Sequence, residues 1–390
     1  MRVTANSMFN QLRNQIFTNS SRLLDAQEAV ATQKRINRLS DDPVDGAHVL
    51  DLKGAIARSK QYINNIEHAK SVAEVYDTAT SQIQDLITRA KELVVQESNE
   101  ATSTQATREA ARIEISNLTS ELAQIANTQF EGKYIFSGFQ TKTPAFNDAT
   151  VASSGTAIDD GTLTVTSDVV DATSMNYHDY SIQFTDAATF DIIDTDTGLA
   201  VSSGQTYTSG EPIQFNGVRV TIADGTGAPA AGTTIAVTTT APGVYNGDSK
   251  SQEVEIGQGN RIAINLTGDR VFQGVGTADG VDLFAMLNEI NTALAEGDYD
   301  TIQAKLDQLD QASEQVSNER SRNGTRVNLL DQIQERQTTI QDSMTALRSD
   351  LEDIDVAEAA TDLAKYQNLY EATLTAAGQI VQPSLLDFLS

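Results

Sequence analysis

The side chains that most often perform acid–base or nucleophilic chemistry are scarce in this sequence. It has three histidines, His48, His68 and His178, and no cysteine. His48 and His68 fall in segments patterned as long helices and His178 lies in a polar segment, so nothing predicts that they share a catalytic site. The lack of cysteine excludes disulfides, thiolate metal sites and cysteine nucleophiles, and it suits a chain that travels unfolded to an oxidising exterior.

One acidic loop, from Asp191 to Gly198, superficially resembles a cation-binding loop. It lacks the full carboxylate set and the distal glutamate of a twelve-residue calcium loop, so an ordinary turn is the preferred interpretation. The glycine pairs Gly225/Gly227 and Gly257/Gly259 lack a following helix and a phosphate-directed lysine, and are also interpreted as turns. Together these patterns predict a protein that is not an enzyme, with no catalytic residue, no metal and no cofactor.

The stronger signal comes from the two ends of the chain, where apolar residues recur every seven positions. The N-terminal seam contains Phe9, Ile16, Leu23 and Val30, with Leu12 and Ala26 between them. The C-terminal seam contains Ile333, Ile340, Leu347 and Ile354, with Leu330, Met344 and Leu351 between them. Such narrow seams are typical of coiled coils. The polar seam positions Asn19, Gln33 and Gln337 leave open a bundle that serves only stability, but an interface between subunits is favoured.

Charge separates the same two ends. Residues 1–40 have six basic and two acidic side chains, a net charge of +4, whereas residues 346–390 have two basic and eight acidic ones, a net charge of −6. Opposite charge favours pairing of the two arms. The total of −27 argues against nucleic acid as a partner, and no apolar run reaches the length of a membrane span or a secretory signal.

Between the arms the pattern predicts long helices. The first helix is expected to run from about residue 6 to about Leu39 and to end at an arm–body joint formed by Ser40, Asp41, Asp42 and Pro43, with Asp42 as the N-cap of the next helix. That next helix is expected to continue to about Glu97. A third helix should end near Glu131, with Gly132 as its C-cap.

The middle of the chain changes character. Residues 141–280 contain 17 of the 24 glycines, four of the six prolines and several short alternating apolar runs, which are typical of antiparallel strands. The predicted fold class is therefore α+β. The arms are residues 1–42 and 346–390, the helical body is 43–140 and 250–345 with a possible β hairpin, and the inserted β-rich outer domain is 141–249.

Three stretches resemble a known family. Residues 34–43 (Lys-Arg-Ile-Asn-Arg-Leu-Ser-Asp-Asp-Pro), residues 127–139 (Asn-Thr-Gln-Phe-Glu-Gly-Lys-Tyr-Ile-Phe-Ser-Gly-Phe) and residues 384–389 (Ser-Leu-Leu-Asp-Phe-Leu) are similar to the flagellin superfamily, and within it to hook–filament junction proteins. The family commonly has proline where this chain has Leu39. The resemblance covers residues 1–140 and 250–390.

This resemblance implies a structural protein of the bacterial flagellum. Its expected partners are copies of itself in a ring, the first hook-associated protein, flagellin and an export chaperone, and its expected location is extracellular, after export through the flagellar type III apparatus. The expected assembly interface comprises Phe9, Leu12, Ile16, Leu23, Val30, Ile340, Met344, Leu347, Leu351, Ile354, Leu385, Leu386, Phe388 and Leu389. Two alternatives remain: flagellin itself, or an enzyme housed in the β insertion.

Overall fold

The protein is described here by a computed structural model that covers residues 5–156, 163–175 and 177–388. The described helices are α1 (Ala5–Thr32), α2 (Pro43–Glu97), α3 (Gln105–Ala126), α4 (Gly268–Phe272), α5 (Leu283–Glu296), α6 (Tyr299–Glu352) and α7 (Val356–Phe388). None of the described helices is both long enough and apolar enough to cross a membrane. The helix expected from Val44 to about Glu97 is confirmed, with Pro43 as its first residue.

The described strands form four sheets. They are β1 (Gln129–Phe130), β2 (Lys133–Tyr134), β3 (Thr150–Thr156), β4 (Leu163–Val169), β5 (Tyr180–Phe184), β6 (Thr189–Asp194), β7 (Ala200–Thr206), β8 (Pro212–Phe215), β9 (Val218–Asp224), β10 (Thr234–Thr240), β11 (Glu253–Gly257) and β12 (Asn260–Ala263). All their described pairings are antiparallel. Helices at both ends and antiparallel strands between them confirm the α+β class.

The chain divides into two compact units, residues 1–65 with 332–390, and residues 66–331. The first unit holds α1, α7 and the adjoining ends of α2 and α6. The second unit holds the remaining helices and all the described strands. The finer division into arms, helical body and insertion stays a prediction.

Aromatic side chains form the centre of the helical core in the second unit. The Phe136 ring packs edge-on against Tyr76 at 5.3 Å and Phe272 at 5.1 Å between ring centroids. The Tyr76 hydroxyl donates to the carbonyl of Ile135 at 2.5 Å. The stretch 127–139, which resembles the flagellin superfamily, therefore contributes Phe136 to the centre of this core.

The end of α3 differs from expectation. The helix ends at Ala126 rather than near Glu131, because the Asn127 N–H closes its last turn and the Asn127 side chain accepts from and donates to the backbone of Phe146. Gly132 is not a helix cap. Glu131 (φ 51°) and Gly132 (φ 73°) instead form the two-residue turn between β1 and β2, a geometry that requires positive φ at both positions.

Two sheets enclose the β-domain core. The larger has the order β3-β10-β5-β6-β7 and the smaller the order β4-β9-β8. Buried side chains from both sheets, such as Ile182, Val237 and Val220, meet between them. The alternating apolar runs of the sequence coincide with β4, β5, β6, β8, β9 and β10, whereas β3 and β7, the two edges of the larger sheet, have no such run. The possible β hairpin of the segment 250–345 is present as β11 and β12.

The β domain is connected to the helices by two chain segments that lie side by side, one entering the domain near residue 147 and one leaving it near residue 244. Phe146 and Tyr245 form an antiparallel bridge, and the Asn147 side-chain oxygen accepts from the Val244 N–H at 2.6 Å. Gly243 (φ 110°) lies against Phe284 so closely that a Cβ at this position would come within 2.3 Å of the ring-bearing side chain. The ingoing and outgoing segments are thus fixed side by side.

Candidate assembly interface

In the first unit α1 and α7 pack against each other as an antiparallel pair. Leu12 is buried, and Ile16, Leu23 and Val30 are half-buried, so the N-terminal seam identified in the sequence lies against α7. The Asn19 side chain donates a hydrogen bond to the Thr373 hydroxyl at 2.7 Å. A polar position of the seam is therefore matched by a polar partner, which sets the register of the pair.

The face of α7 that meets α1 was missed by the sequence analysis. Its half-buried residues follow a spacing of four and three: Ala359, Leu363, Tyr366, Tyr370, Thr373 and Ala377. Small and polar members make this seam weak when only large aliphatic residues are counted. The spacing itself was the signal that could have identified it.

The expected C-terminal seam lies mainly on α6 and breaks before its last member. Ile333 is buried, Met344 and Leu351 are half-buried, and Ile340 and Leu347 are exposed. The expectation that the helix continues through Ile354 is wrong, because α6 ends at Glu352 and α7 begins at Val356. The side chains of Phe9, Leu385, Leu386 and Phe388 lie outside those the structure describes, as does the whole of Leu389.

A second set of apolar side chains in this unit faces away from the α1–α7 seam. On α1, Phe17 and Leu24 are seven residues apart and expose 80% and 61% of their surface. On α7, Leu369 and Leu374 are also exposed. Large apolar side chains in regular spacing on a helix exterior are typical of surfaces that another chain covers.

The first helix ends earlier than expected. It stops at Thr32 instead of running to about Leu39, since Gln33 has a left-handed φ of 57° and its carbonyl accepts from the Ile354 N–H at 3.2 Å. Lys34 and Asp353 form a β-bridge beside it. Residues 33–42 and residues 353–355, here called the paired breaks, thus satisfy each other's backbone groups instead of continuing their helices.

The arm–body joint closes the first of these breaks. The Asp41 carboxylate accepts from the backbone of Asn37 and Arg38, and the Asp42 carboxylate accepts from Val44 and Asp45. Asp42 is therefore an N-cap, as expected. The Asp45 N–H bond in particular holds the pKa of Asp42 below its ordinary value. Ser40 and Pro43 are exposed and complete the connection.

A buried carboxylate lies beside the paired breaks, on the last residue of α6. Glu352 is 2% exposed, and its Oε1 accepts from Lys34 Nζ at 2.8 Å and from Lys53 Nζ at 2.7 Å. Arg348 Nε lies 3.7 Å from Oε2. Burial alone would raise the pKa of Glu352, but the hydrogen bonds from the two lysines outweigh it and lower the pKa.

Among the described residues, the ion pair that joins the two chain ends is Lys34–Glu352 in the paired breaks, rather than one along the α1–α7 seam. The opposite net charges of the arms are therefore expressed locally. Arg35 braces the same place, with Nη2 bonds to the Asp45 carboxylate at 2.7 Å and to the Leu351 carbonyl at 2.9 Å.

The acidic loop that was considered as a cation site lies in the β domain. His178 Nδ1 is 2.7 Å from Asp194 Oδ2, while Asp194 Oδ1 accepts from the N–H groups of Asp196 and Thr197. The structure thus brings His178 to the acidic loop, a contact that the sequence did not predict. Both oxygens of the Asp194 carboxylate are already engaged in shaping a turn that ends at Gly198 (φ 72°).

These features define an α+β protein in which the two chain ends pair as antiparallel helices and an antiparallel β domain is inserted between them in the sequence. The bacterial flagellin N-terminal helical region matches residues 3–141, and the bacterial flagellin C-terminal helical region matches residues 306–389. Together these two matches cover more than half of the chain. The chain belongs to the flagellin family.

Individual relatives agree with this assignment. Flagellar hook-associated protein 3 of Salmonella typhimurium is 27% identical over 151 residues, 38% of this chain and 47% of the relative. A flagellin of Bacillus subtilis is 31% identical over 150 residues, 37% of this chain and 49% of the relative. The chain thus spans about half the length of the relatives it matches. A putative flagellar hook-associated protein from Vibrio parahaemolyticus shares the fold, with 16% identity, a TM-score of 0.50 and coverage of 80% of this chain and 100% of that one.

Proposed function

We propose that this chain is a structural protein of the bacterial flagellum that forms the junction layer between the hook and the flagellin filament. The observation that carries the proposal is the placement of two stretches that resemble junction proteins. Residues 34–43 form the connection from α1 into the first residue of α2, and residues 127–139 contribute Phe136 to the aromatic centre of the helical core. Similarity to flagellar hook-associated protein 3 supports the same assignment.

In this proposal the α1–α7 pair is the element by which subunits associate. Its seam is satisfied within one chain, whereas Phe17 and Leu24 remain exposed and are available to neighbouring subunits. The neighbours would be copies of this chain within the ring, the first hook-associated protein on one side and flagellin on the other. Burial of the exposed apolar side chains would then supply association energy only on assembly.

Export precedes assembly in this scheme. The chain would pass unfolded through the flagellar type III apparatus, held beforehand by an export chaperone on its C-terminal helix. The exposed Leu369 and Leu374 on α7 support a chaperone surface there. The role is structural, and the proposal assigns no catalytic residue, metal or cofactor.

Flagellin, the filament subunit itself, is the second candidate. The similarity to the flagellin of Bacillus subtilis favours it, since that relative aligns over a comparable length. A flagellin polymerises into a long filament, whereas a junction protein stops after one layer.

Immunogold electron microscopy of sheared flagella, with an antibody against the β domain, separates the two candidates. A junction protein gives one band of gold where hook meets filament. Gold along the whole filament would assign the chain to the filament, and flagella without gold would refute both assignments. A strain that lacks the gene provides the control for antibody specificity.

A further inference from the structure

Few contacts at the paired breaks would resist a rotation of the α1–α7 pair relative to α2 and α6. Two backbone hydrogen bonds hold the first break, one from Arg35 N to the carbonyl of Glu352 at the end of α6 and one from Ile354 N in the second break to the Gln33 carbonyl. Ile36 is the one large apolar side chain of residues 33–42 that is buried. Chain segments that interrupt helices and lack a packed core around them are the usual places where helical elements pivot.

Glu352 is the group that draws the segments together at this place. Lys34 reaches it from residues 33–42, Lys53 from α2, and Arg348 from the preceding turn of α6. One carboxylate therefore connects the first break, the start of α2 and the end of α6. We propose that Glu352 is a latch that fixes the direction of the α1–α7 pair relative to the adjoining ends of α2 and α6, and that neutralising it leaves a free hinge.

Release of this latch requires little unfolding. The side chains of Lys34 and Lys53 are 41% and 43% exposed, so both ammonium groups can return to water once the carboxylate charge is gone. A deeply buried ammonium group would instead stay in the interior without a partner, at a large desolvation penalty. Neutralising Glu352 therefore removes the orienting contacts and leaves both helical elements folded.

Arg35 is the competing brace and does not replace the latch. Its side chain is 48% exposed and its carboxylate partners Asp42 and Asp45 are each 31% exposed. Ion pairs with this degree of exposure contribute little to a fixed geometry in physiological salt. The buried Glu352 contacts are screened much less.

The absence of cysteine in the sequence allows a direct test on the full chain. Spin labels on Ser21→Cys in α1 and Lys60→Cys in α2, both exposed positions, report the angle across the paired breaks. Labels on Ser21→Cys and Gln367→Cys report the α1–α7 pair alone. Pulsed electron paramagnetic resonance then gives the distance distribution of each pair at neutral pH, with and without Glu352→Gln.

The latch predicts a single narrow distance across the breaks in the parent protein and its loss in Glu352→Gln. The distance within the α1–α7 pair and the circular dichroism spectrum should not change. Glu335→Gln, the same chemical change at an exposed position of α6, should keep the narrow distance. An unchanged distribution in Glu352→Gln, or an equal broadening in Glu335→Gln, overturns the proposal.

Lys34→Met tests the same contact if Glu352→Gln fails to fold. It removes one half-exposed cation and leaves the carboxylate in place. It should broaden the distance across the breaks and leave the α1–α7 distance intact. If Glu352→Gln unfolds the helices and Lys34→Met keeps the narrow distance, Glu352 is only a folding residue and the latch is refuted. These measurements use the isolated chain, so their result is independent of the flagellar role proposed above.

Discussion

Replacing Phe17 and Leu24 together by glutamine should separate folding from assembly. Both side chains are largely exposed in the free chain, and glutamine has nearly the helix propensity of leucine, so the free energy of unfolding should change by less than about 0.5 kcal/mol. Full burial of a Leu or Phe side chain contributes about 1.5–3 kcal/mol. Since 80% and 61% of these surfaces remain to be buried, the pair should contribute about 2–4 kcal/mol to association.

That free energy corresponds to a loss of about 30- to 700-fold in the association constant of each subunit. The assay is quantitative immunoblotting of sheared flagella from a strain in which the variant replaces the parent gene, alongside urea unfolding of the purified chain. Normal incorporation of the double variant would refute the assignment of these side chains to a subunit interface.

The matched control is Leu329→Gln, which makes the same change at an exposed leucine of α6 in the other compact unit. It should incorporate as the parent protein does. Leu12→Ala provides the opposite contrast, because Leu12 is only 9% exposed and lies in the α1–α7 seam. That variant should destabilise the free chain by about 2 kcal/mol or more before any effect on assembly is considered.

Three further outcomes are expected. Leu347→Asp introduces a charge at a position that is 51% exposed, so the circular dichroism spectrum should stay unchanged while incorporation into flagella is lost. Normal incorporation would mean that Leu347 faces solvent in the flagellum. Gly138→Ala should lower the melting temperature far more than Gly132→Ala, because a Cβ at Gly138 would lie 2.1 Å from the Asp248 carbonyl, whereas open space surrounds Gly132. Both glycines have positive φ, so equal losses of melting temperature would contradict the steric argument. The pKa of Glu352 is lowered in the folded chain, so this carboxylate should stabilise the fold fully above its ordinary pKa of 4.5 and lose that effect as the pH falls below 4.5. Urea midpoints measured from pH 7 to pH 3 should therefore fall less steeply in Glu352→Gln, in which Lys34, Lys53 and Arg348 no longer face a titrating group.

The sequence was most informative where periodicity and burial coincide. The length of α2 and the inner strands of the β domain follow from regular apolar spacing, since one face of each is buried. The edge strands β3 and β7 are rich in serine, threonine and glycine. Each has a neighbour on one side only, so its side chains need not alternate between apolar and polar.

The features that sequence reasoning missed depend on residues far apart in the chain. α1 stops at Thr32 because Gln33 bonds to Ile354, a partner that no local pattern reveals. The same holds for Glu352, which looks like one more acid in an acidic arm until Lys34 and Lys53 are brought to it. Gly132 was misassigned for another reason, since positive φ suits a helix cap and a hairpin turn equally well.

The two chain segments that lie side by side at Asn147 and Val244 make the β domain genetically separable from the helical core. Because the two segments are held at the spacing of neighbouring strands, about 5 Å, any polypeptide whose own ends lie equally close could occupy the place of the β domain without stretching the helices. Selection can therefore alter what the molecule displays while the helical elements stay constant. The same arrangement offers a graft position for a foreign domain, whose insertion would leave the helical core unchanged.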